Sequence, residues 1–328
     1  MPDLRVIHES IESLLDGAEE RETMETPGKS GARLDRLLLN GEPYVVKYLD
    51  AENDWTMRAA GVPGGASLEL WSRGIFDHLP DCFNQPIVAV AKGEISALLM
   101  HDVSPWLVPA TDDPIPLAQQ EQFLDHMAAM HVGFWETTLD IDIVSPTTRY
   151  LELSPSMAAA EAALGSDAVV PRLVAQGWPL LEEVAPKAAG IVSPLAHNPG
   201  PLVQALARTP QTFVHGNWKL DNLGTDAQGR TVILDWETPG RAAPLCDVAW
   251  YLAINCRRLP TSKEDALTSY RDALERRGID TTDWWEVQMS LALLGGLVHF
   301  GWEKAFSGYD DELAWWEDRA IRAAPLLS

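Results

Sequence analysis

The segment 213–237 concentrates polar residues whose types and spacing could carry catalysis. Its first part, residues 213–224, reads FVHGNWKLDNLG, an apolar strand followed by a polar loop with asparagines at positions 217 and 222. Its second part, residues 231–237, is another apolar strand with an aspartate near its end, at position 235. Phosphotransfer catalytic loops have this order of strand, base position, asparagine, second strand and aspartate. The spacing therefore predicts a catalytic loop followed by a metal-binding segment.

Asn222 and Asp235 are the candidate metal ligands. Mg²⁺ prefers oxygen ligands and keeps several waters, so one amide oxygen and one carboxylate beside the phosphates of ATP form a typical protein contribution. Taken singly, each residue could equally well close a turn. The prediction of a magnesium site therefore depends on the whole pattern.

A lysine and a glutamate further upstream support a nucleotide site. Lys47 lies in the predicted strand 44–49, in the position of a lysine that pairs with nucleotide phosphates. Glu69 follows 22 residues later in a helix predicted for 67–78, where the ion-pair partner of that lysine would lie. A lysine near a strand end is usually only exposed, so the prediction depends on finding both residues together.

Two more segments are candidates for nucleotide contacts. A glycine-containing turn at 28–31 could direct backbone N–H groups at phosphate oxygens. The segment 100–103 joins the strand-rich and helix-rich halves of the chain, where adenine would meet backbone donors and acceptors. The candidate residues are Gly28, Ser30, Gly31, Met100, Asp102 and Val103.

The elements that must position these residues divide the chain into a small lobe, 1–103, and a helical lobe, 104–328. In the small lobe, an opening helix is predicted at about 4–16. Asn40-Gly41 predicts a hairpin turn between strands 33–39 and 44–49, because both residues tolerate positive φ. Further strands are predicted at 86–90 and 95–100, and Ser67 is the predicted N-cap of the single helix between them and the hairpin.

The helical lobe shows apolar periodicity along most of its length. The predicted helices cover 117–134, 168–186, 199–208, 246–256, 263–277, 283–305 and 311–324. Strands are predicted only at 212–214 and 231–234. The fold class is therefore predicted as α+β, with a small antiparallel sheet and a larger helical part.

Composition limits the classes of partner. The 328 residues carry a formal net charge of −23, a sign that repels nucleic acid and anionic lipid surfaces. An acidic surface can simply aid solubility, or it can attract cationic substrates. Three scattered cysteines and an N-terminus without an apolar stretch predict a reducing, cytoplasmic location.

The sequence resembles the aminoglycoside phosphotransferase and choline kinase family across roughly residues 20–320. The resemblance depends on Lys47, Glu69, His215-Gly216, Asn222, Asp235 and the segment 244–247. It implies a two-lobed protein-kinase-like fold that uses ATP and Mg²⁺. By this resemblance, Lys47 would hold phosphates and Glu69 would orient it, while Asn222 and Asp235 would bind Mg²⁺. Asp247 would brace the catalytic segment, and His215 would pack behind it.

Asn217 departs from the family motif, which has aspartate after His-Gly. A carboxylate would accept the proton of the substrate hydroxyl, whereas an amide can only orient that hydroxyl. Lys219 could offset charge on the transferred phosphoryl group, and Asp221 could serve as a cation contact on the substrate side or as a displaced base. The expected function is ATP- and Mg²⁺-dependent phosphorylation of a small molecule, weakened by Asn217. The alternative is a pseudokinase, a nucleotide-binding regulatory module without turnover, and an engineered change at 217 is a further explanation.

The acceptor is expected to be a polar or cationic alcohol, such as an aminoglycoside, an amino sugar or a choline-like molecule. Tryptophans and carboxylates concentrate on the last helices, which in this family flank the acceptor pocket, and they suit an amine or quaternary ammonium group. Core packing and a solvated face are the alternative explanation. The residues are Trp284, Trp285, Trp302, Trp315, Trp316, Glu303, Asp310, Asp311, Glu312, Glu317 and Asp318.

Overall fold

Six strands of the N-terminal part form one sheet in a computed structural model that describes residues 6–24, 30–62 and 64–327. In chain order the first seven strands are β1 (Ile7–His8), β2 (Ala18–Thr23), β3 (Leu34–Leu39), β4 (Glu42–Leu49), β5 (Phe83–Asn84), β6 (Ile87–Ala91) and β7 (Ser96–His101). The sheet order is β1-β6-β7-β4-β3-β2. All neighbours are antiparallel except β1 and β6, which are parallel.

The β3–β4 hairpin forms at the predicted turn and orients Lys47. Asn40 and Gly41 have φ values of 53° and 80°, the positive values that a tight hairpin turn requires. Side chains alternate along β4, and Val46 and Tyr48 pack on one face with Leu37. Lys47 therefore points to the opposite face, toward the C-terminal part of the chain.

The helices of the N-terminal part are shorter and more numerous than predicted. They are α1 (Ile11–Leu14), α2 (Trp55–Ala60) and α3 (Ala66–Arg73), and a 3₁₀ turn (Ile75–His78) follows α3. The opening helix has only four residues, because β1 precedes it. The sequence analysis missed α2, which begins at the N-cap Asp54, whose Oδ1 accepts the Thr56 N–H at 2.9 Å. The N-cap of α3 is Gly65 rather than the predicted Ser67, and the helix ends at Gly74.

Ten helices dominate the described C-terminal part. They are α4 (Leu117–Gly133), α5 (Pro146–Leu151), α6 (Pro155–Ala163), α7 (Val169–Val184), α8 (Pro186–His197), α9 (Gly200–Leu206), α10 (Leu245–Ile254), α11 (Lys263–Arg276), α12 (Trp285–Lys304) and α13 (Asp311–Ala323). The seven predicted helices are confirmed, with ends that differ by at most two residues. The sequence analysis missed α5, α6 and α8, each of which begins with proline at its first position. Within the described ranges, no helix is both long and apolar enough to cross a membrane.

Two small sheets hold the segment of greatest interest. They contain β8 (Thr212–Val214), β9 (Leu223–Thr225), β10 (Thr231–Ile233) and β11 (Gly240–Ala242). β10 lies between β5 and β9, whereas β8 pairs with β11. The two predicted strands, β8 and β10, are thus confirmed, but the prediction that they are the only ones is wrong, because β9 and β11 pair with them. The α+β class with a helical C-terminal part is confirmed as well. Because β5 joins β10, the chain contacts the second part before position 103, and the lobe boundary stays a prediction.

Candidate active site

The catalytic loop predicted at 213–224 joins β8 to β9 through a turn that requires glycine. Gly216 has a φ of 80°, in the left-handed region. A Cβ atom at this position would lie 2.2 Å from the carbonyl oxygen of Thr238. Both the backbone conformation and the close approach of the next strand segment therefore exclude a side chain at Gly216.

Asp247 holds the loop from behind. Its two carboxylate oxygens accept the backbone N–H groups of His215 and Gly216, each at 2.8 Å. The Nε2 atom of His131 lies 3.2 Å from Asp247 Oδ2. Burial disfavours the charge, but these hydrogen bonds outweigh it and lower the pKa of Asp247. This contact set is the bracing role that the family resemblance implied.

His215 is a buried structural residue of the loop. Its Nε2 atom donates to the carbonyl oxygen of Leu234 at 3.0 Å, and its Nδ1 atom accepts the backbone N–H of Asn217 at 3.1 Å. Burial lowers the pKa of His215 to about 4, so the neutral ring makes both bonds. The rings of Trp218 and Trp236 pack against it with centroids 5.8 and 4.3 Å away. His215 therefore fixes the position of Asn217 from behind.

The two candidate metal ligands are close to Asn217. Asn222 Nδ2 donates to the Asn217 carbonyl oxygen at 3.2 Å, which orients the amide and leaves Oδ1 as an acceptor. Asn217 Nδ2 lies 3.4 Å from Asp235 Oδ2. The Leu234 N–H donates to the Asn222 carbonyl oxygen at 2.9 Å, which ties the loop to the segment of Asp235. Asp235 itself has a φ of 67°, a conformation that asparagine and aspartate tolerate best among non-glycine residues.

This donor set suits Mg²⁺. It offers one carboxylate oxygen from Asp235 and one amide oxygen from Asn222. In the described part of the chain there is no cluster of three or more His, Cys, Asp or Glu side chains of the kind that holds a metal by protein ligands alone. Mg²⁺ is commonly bound by one or two carboxylates together with phosphate oxygens and water. The assignment of Asn222 and Asp235 as ligands stays a prediction that fits the geometry.

Lys47 pairs with carboxylates of the metal-binding segment. Its Nζ atom donates a hydrogen bond to Asp235 Oδ1 in an ion pair and lies 3.0 Å from Glu237 Oε1. Burial opposes the lysine charge, but these two carboxylates outweigh burial and raise the pKa of Lys47. Lys47 in turn lowers the pKa of Asp235 against the effect of burial, while burial and Asp235 raise that of Glu237. The lysine is therefore held charged beside the candidate metal ligand.

Glu69 does not orient Lys47 in this structure, which differs from the prediction. It pairs with Arg73 on its own helix at 3.4 Å. The α3 residue that faces the site is Ser67, whose hydroxyl donates to the Trp236 carbonyl oxygen at 3.1 Å. Two residues further along an α-helix correspond to a rotation of about 200°, so Glu69 points away from Lys47. Glu237, rather than Glu69, is the glutamate that pairs with Lys47.

Lys219 and Asp221 lie on the open side of the loop. The Nζ atom of Lys219 is 3.8 Å from Asp221 Oδ2, and the Asp221 side chain is 65% exposed. Both residues line the same cleft as Asn217 and Asp235. The structure thus brings all three candidate catalytic residues to one cleft, and their roles stay predictions.

The predicted nucleotide-contact segments are placed less favourably. Ser30 lines the cleft, whereas Gly31 packs so closely on the Asn53 carbonyl oxygen that a Cβ atom would lie 2.1 Å from it. Gly28 lies outside the described residues. The segment 100–103, with Met100, Asp102 and Val103, does not line the cleft, and the Asp102 N–H already donates to the Pro43 carbonyl oxygen at 3.2 Å.

The cleft has a volume of about 620 Å³, and its lining combines aromatic and acidic side chains with the cationic Lys219, Arg257 and Arg258. Of the aromatic and acidic residues predicted to surround the acceptor, only Trp302 and Glu303 line it. Three of the other tryptophans pack elsewhere: Trp284 lies tilted against Trp135, Trp285 stacks on Tyr270, and Trp315 lies under Lys263 and Arg319. The aromatic lining consists of the predicted Trp302 together with Trp55, Trp250 and Phe300.

Sequence reasoning missed Glu152 and Glu237, which both line the cleft. Glu237 had a usable signal, because it lies two residues after Asp235 in the motif. Glu152 had none, because it lies at the C-terminal end of α5, a helix that was itself not predicted.

Comparison with known proteins identifies the family and the fold. The family model described as "Phosphotransferase enzyme family" matches residues 100–286. Among solved structures, the choline kinase LicA from Streptococcus pneumoniae is similar over 96% of this chain and 96% of its own, with a TM-score of 0.54 and 12% identity. The macrolide 2'-phosphotransferase type I covers 92% of this chain and 91% of its own, at a TM-score of 0.47 and 16% identity. The LicA likeness shows a kinase-like fold, while no curated sequence matches the chain significantly.

Proposed function

The chain belongs to the phosphotransferase enzyme family, and we propose that it transfers the γ-phosphate of ATP, with Mg²⁺, to a hydroxyl group of a small polar or cationic molecule. The observation that carries the proposal is the meeting of Asn217, Lys219 and Asp235 on one cleft. Lys47 is held beside this cleft by its ion pair with Asp235. Positioning and charge neutralisation dominate phosphoryl transfer, and these are the groups that can supply both.

Each of these residues has a distinct task in the proposed reaction. Asn222 and Asp235 hold Mg²⁺, which neutralises charge on the phosphates when it is bound. Lys47 holds phosphate oxygens, and the short segment Ser30-Gly31 lies at the edge of the same cleft. Glu237 keeps Lys47 charged and in place.

Asn217 orients the acceptor in this proposal. Its Nδ2 is directed at Asp235, so Oδ1 is left to accept a hydrogen bond from the incoming hydroxyl. An amide cannot take up the proton, and general-base help is typically worth about 10²- to 10⁴-fold in rate. Lys219 is placed to offset charge on the transferred group. We therefore propose turnover that is slower than with a carboxylate at position 217, unless another group accepts the proton.

The acceptor class follows from the cleft lining and the charge of the chain. Trp250 and Trp302 offer aromatic faces, and Glu152 and Glu303 offer carboxyl groups. Such a lining suits an amino or quaternary ammonium alcohol. A net charge of −23 would also concentrate cations near the protein. A cytoplasmic location, and the lack of nucleic-acid and membrane partners, stay predictions from composition.

The alternative function is that of a pseudokinase, which binds nucleotide without transferring phosphate. Asn217 is the observation that favours it. Two observations argue against a pseudokinase. The Asn222 side chain is oriented by its hydrogen bond to the Asn217 carbonyl oxygen, and the Lys47 side chain is oriented by its ion pair with Asp235. A protein that does not transfer phosphate does not need this arrangement.

The test is transfer of ³²P from [γ-³²P]ATP to choline, amino sugars and hygromycin B, each with and without Mg²⁺. We expect a slow, Mg²⁺-dependent product with at least one acceptor, a higher rate in Asn217→Asp, and no product in Asp235→Ala. The account is wrong if neither the natural chain nor Asn217→Asp forms a product, and the pseudokinase hypothesis then holds if ATP still binds.

A further inference from the structure

Glu152 carries a buried carboxyl group that lacks a full set of partners. The residue is 7% exposed, and its Oε2 atom has no hydrogen-bond partner. It lines the cleft that also contains Asn217, Lys219 and Asp235. A buried carboxyl group without a partner is unfavourable for folding, so its presence in a ligand cleft points to a task with a ligand.

The charges around Glu152 come from four elements and partly cancel. Burial is the largest effect and raises the pKa of Glu152 to about 8. Arg149 on α5 and Lys219 on the catalytic loop act to lower this pKa. Asp235 and Asp54 act to raise it. Asp235 and Lys219 line the same cleft as Glu152.

We propose that Glu152 accepts the proton of the incoming hydroxyl group, the task for which Asn217 lacks a carboxylate. This inference rests on the proposed function. The acceptor oxygen bonds to the γ-phosphorus while the bond from the γ-phosphorus to the bridging oxygen breaks, and its electron pair leaves with ADP. The hydroxyl proton passes to the ionised Glu152 carboxylate and is later released to water. Asn217 Oδ1 orients the hydroxyl, and Glu152 receives the proton.

The other carboxylates of the cleft are less suitable. Asp235 and Glu237 both pair with Lys47, and Asp235 is the candidate metal ligand. Glu303 lies 2.9 Å from Lys304 Nζ. Asp221 is 65% exposed and lies 3.8 Å from Lys219 Nζ, so it is solvated and already has a cationic neighbour. Asp112, which also lines the cleft, is exposed. Among these carboxylates, Glu152 alone combines a buried side chain with an oxygen that neither a hydrogen bond nor an ion pair satisfies.

The experiment measures phosphate transfer from Mg²⁺-ATP by Glu152→Gln, Asn217→Asp and the double variant. Choline and hygromycin B are the acceptor probes. If the protein phosphorylates neither of them, transfer to water is measured instead as ATP hydrolysis. We expect Glu152→Gln to lower kcat about 100-fold or more without changing ATP affinity. In the Asn217→Asp background the same change should cost less than about 10-fold, because the aspartate then accepts the proton. Glu182→Gln, on an exposed position of α7, is the matched control and should leave kcat unchanged.

The pH profile separates a proton acceptor from a structural residue. For the natural chain, kcat/KM should rise with pH through about 8, and Glu152→Gln should lack this rise. If Glu152→Gln proves poorly folded, Glu152→Asp keeps a carboxylate and should retain the rise at a lower kcat.

Several outcomes would overturn the proposal. They are an unchanged kcat in Glu152→Gln, a raised KM for the acceptor alone, or an equal loss in both backgrounds at position 217. A complete absence of transfer in every variant, with Asn217→Asp included, would instead contradict the proposed function, and the role of Glu152 with it.

Discussion

Asp247 and Glu152 are both buried carboxyl groups near the catalytic loop 213–224, on its two opposite sides. Behind the loop, Asp247 accepts two backbone N–H groups at 2.8 Å, and its pKa is lowered. On the cleft side, Glu152 leaves one oxygen without a partner, and burial raises its pKa. The carboxylate behind the loop is fully partnered within the protein, whereas the carboxyl group on the cleft side has an oxygen that no protein group satisfies. Variants on the two sides should therefore affect stability in opposite directions.

The largest effect is expected behind the loop. Asp247→Asn would turn an amide N–H₂ toward a backbone N–H and remove a buried charge on which three donors converge. We expect the free energy of unfolding to fall by about 3–5 kcal/mol, measured by urea denaturation. Asp272→Asn on the exposed face of α11 is the control and should change it by less than about 0.5 kcal/mol. A loss similar to the control would remove Asp247 as the brace.

Gly216→Ala should come next, because the added methyl group meets both strain and a clash. A φ of 80° and a contact of 2.2 Å with the Thr238 carbonyl oxygen predict a loss of about 3 kcal/mol. Gly229→Ala is a matched control, with a φ of 77° and nothing within 4 Å. It should lose only about 1 kcal/mol in the same denaturation experiment. Equal losses would mean that the close approach at Gly216 is unimportant.

On the cleft side, Glu152→Gln should stabilise the protein, and more so at higher pH. The folded-state pKa of about 8 lies above the ordinary value of 4.5, so the stability that Glu152 contributes is complete below 4.5. It is lost as the pH rises toward 8, because the unfolded chain ionises first. The whole pKa difference, at about 1.4 kcal/mol per pKa unit, sets an upper bound of about 5 kcal/mol. Because water entering the cleft relaxes the buried charge, denaturation at pH 8.5 should show the variant about 1–3 kcal/mol more stable, relative to the natural chain, than at pH 4.5. A pH-independent difference would contradict this.

The smallest effect is expected for Asp221→Asn. The side chain is 65% exposed, and its ion pair with Lys219 spans 3.8 Å. Such pairs contribute about 0–1 kcal/mol, so unfolding and phosphate transfer should both stay close to those of the natural chain. If the substitution abolishes transfer while ATP still binds, Asp221 and not Glu152 is the displaced base.

Local signals explain what the sequence could predict. The Asn40-Gly41 hairpin and the seven predicted helices depend on residues near one another in the chain, and both appear in the structure. Proline marks the first position of α5, α6 and α8, but a single proline does not produce a periodic apolar pattern, so these three helices were not identified. The order of residues 213–237 was likewise enough to place Asn217, Asn222 and Asp235 close together.

Contacts between distant segments explain what the sequence could not predict. The partner of Lys47 is decided by the rotation of α3 about its own axis, which turns Ser67 toward the site and Glu69 toward Arg73. No local pattern reports that rotation. Glu152 reaches the cleft because α5 packs against α2 and β11, so its spacing from Asn217 in the sequence carries no information about its role.

Calorimetric titration of ATP, with and without Mg²⁺, tests most directly the claim that the cleft side of the loop awaits a metal–nucleotide ligand. The account predicts binding that strengthens with Mg²⁺ in the natural chain and loses its Mg²⁺ dependence in Asp235→Ala. Glu152→Gln should bind ATP as the natural chain does. An absence of binding under both conditions, or equal Mg²⁺ dependence in Asp235→Ala, would contradict the account.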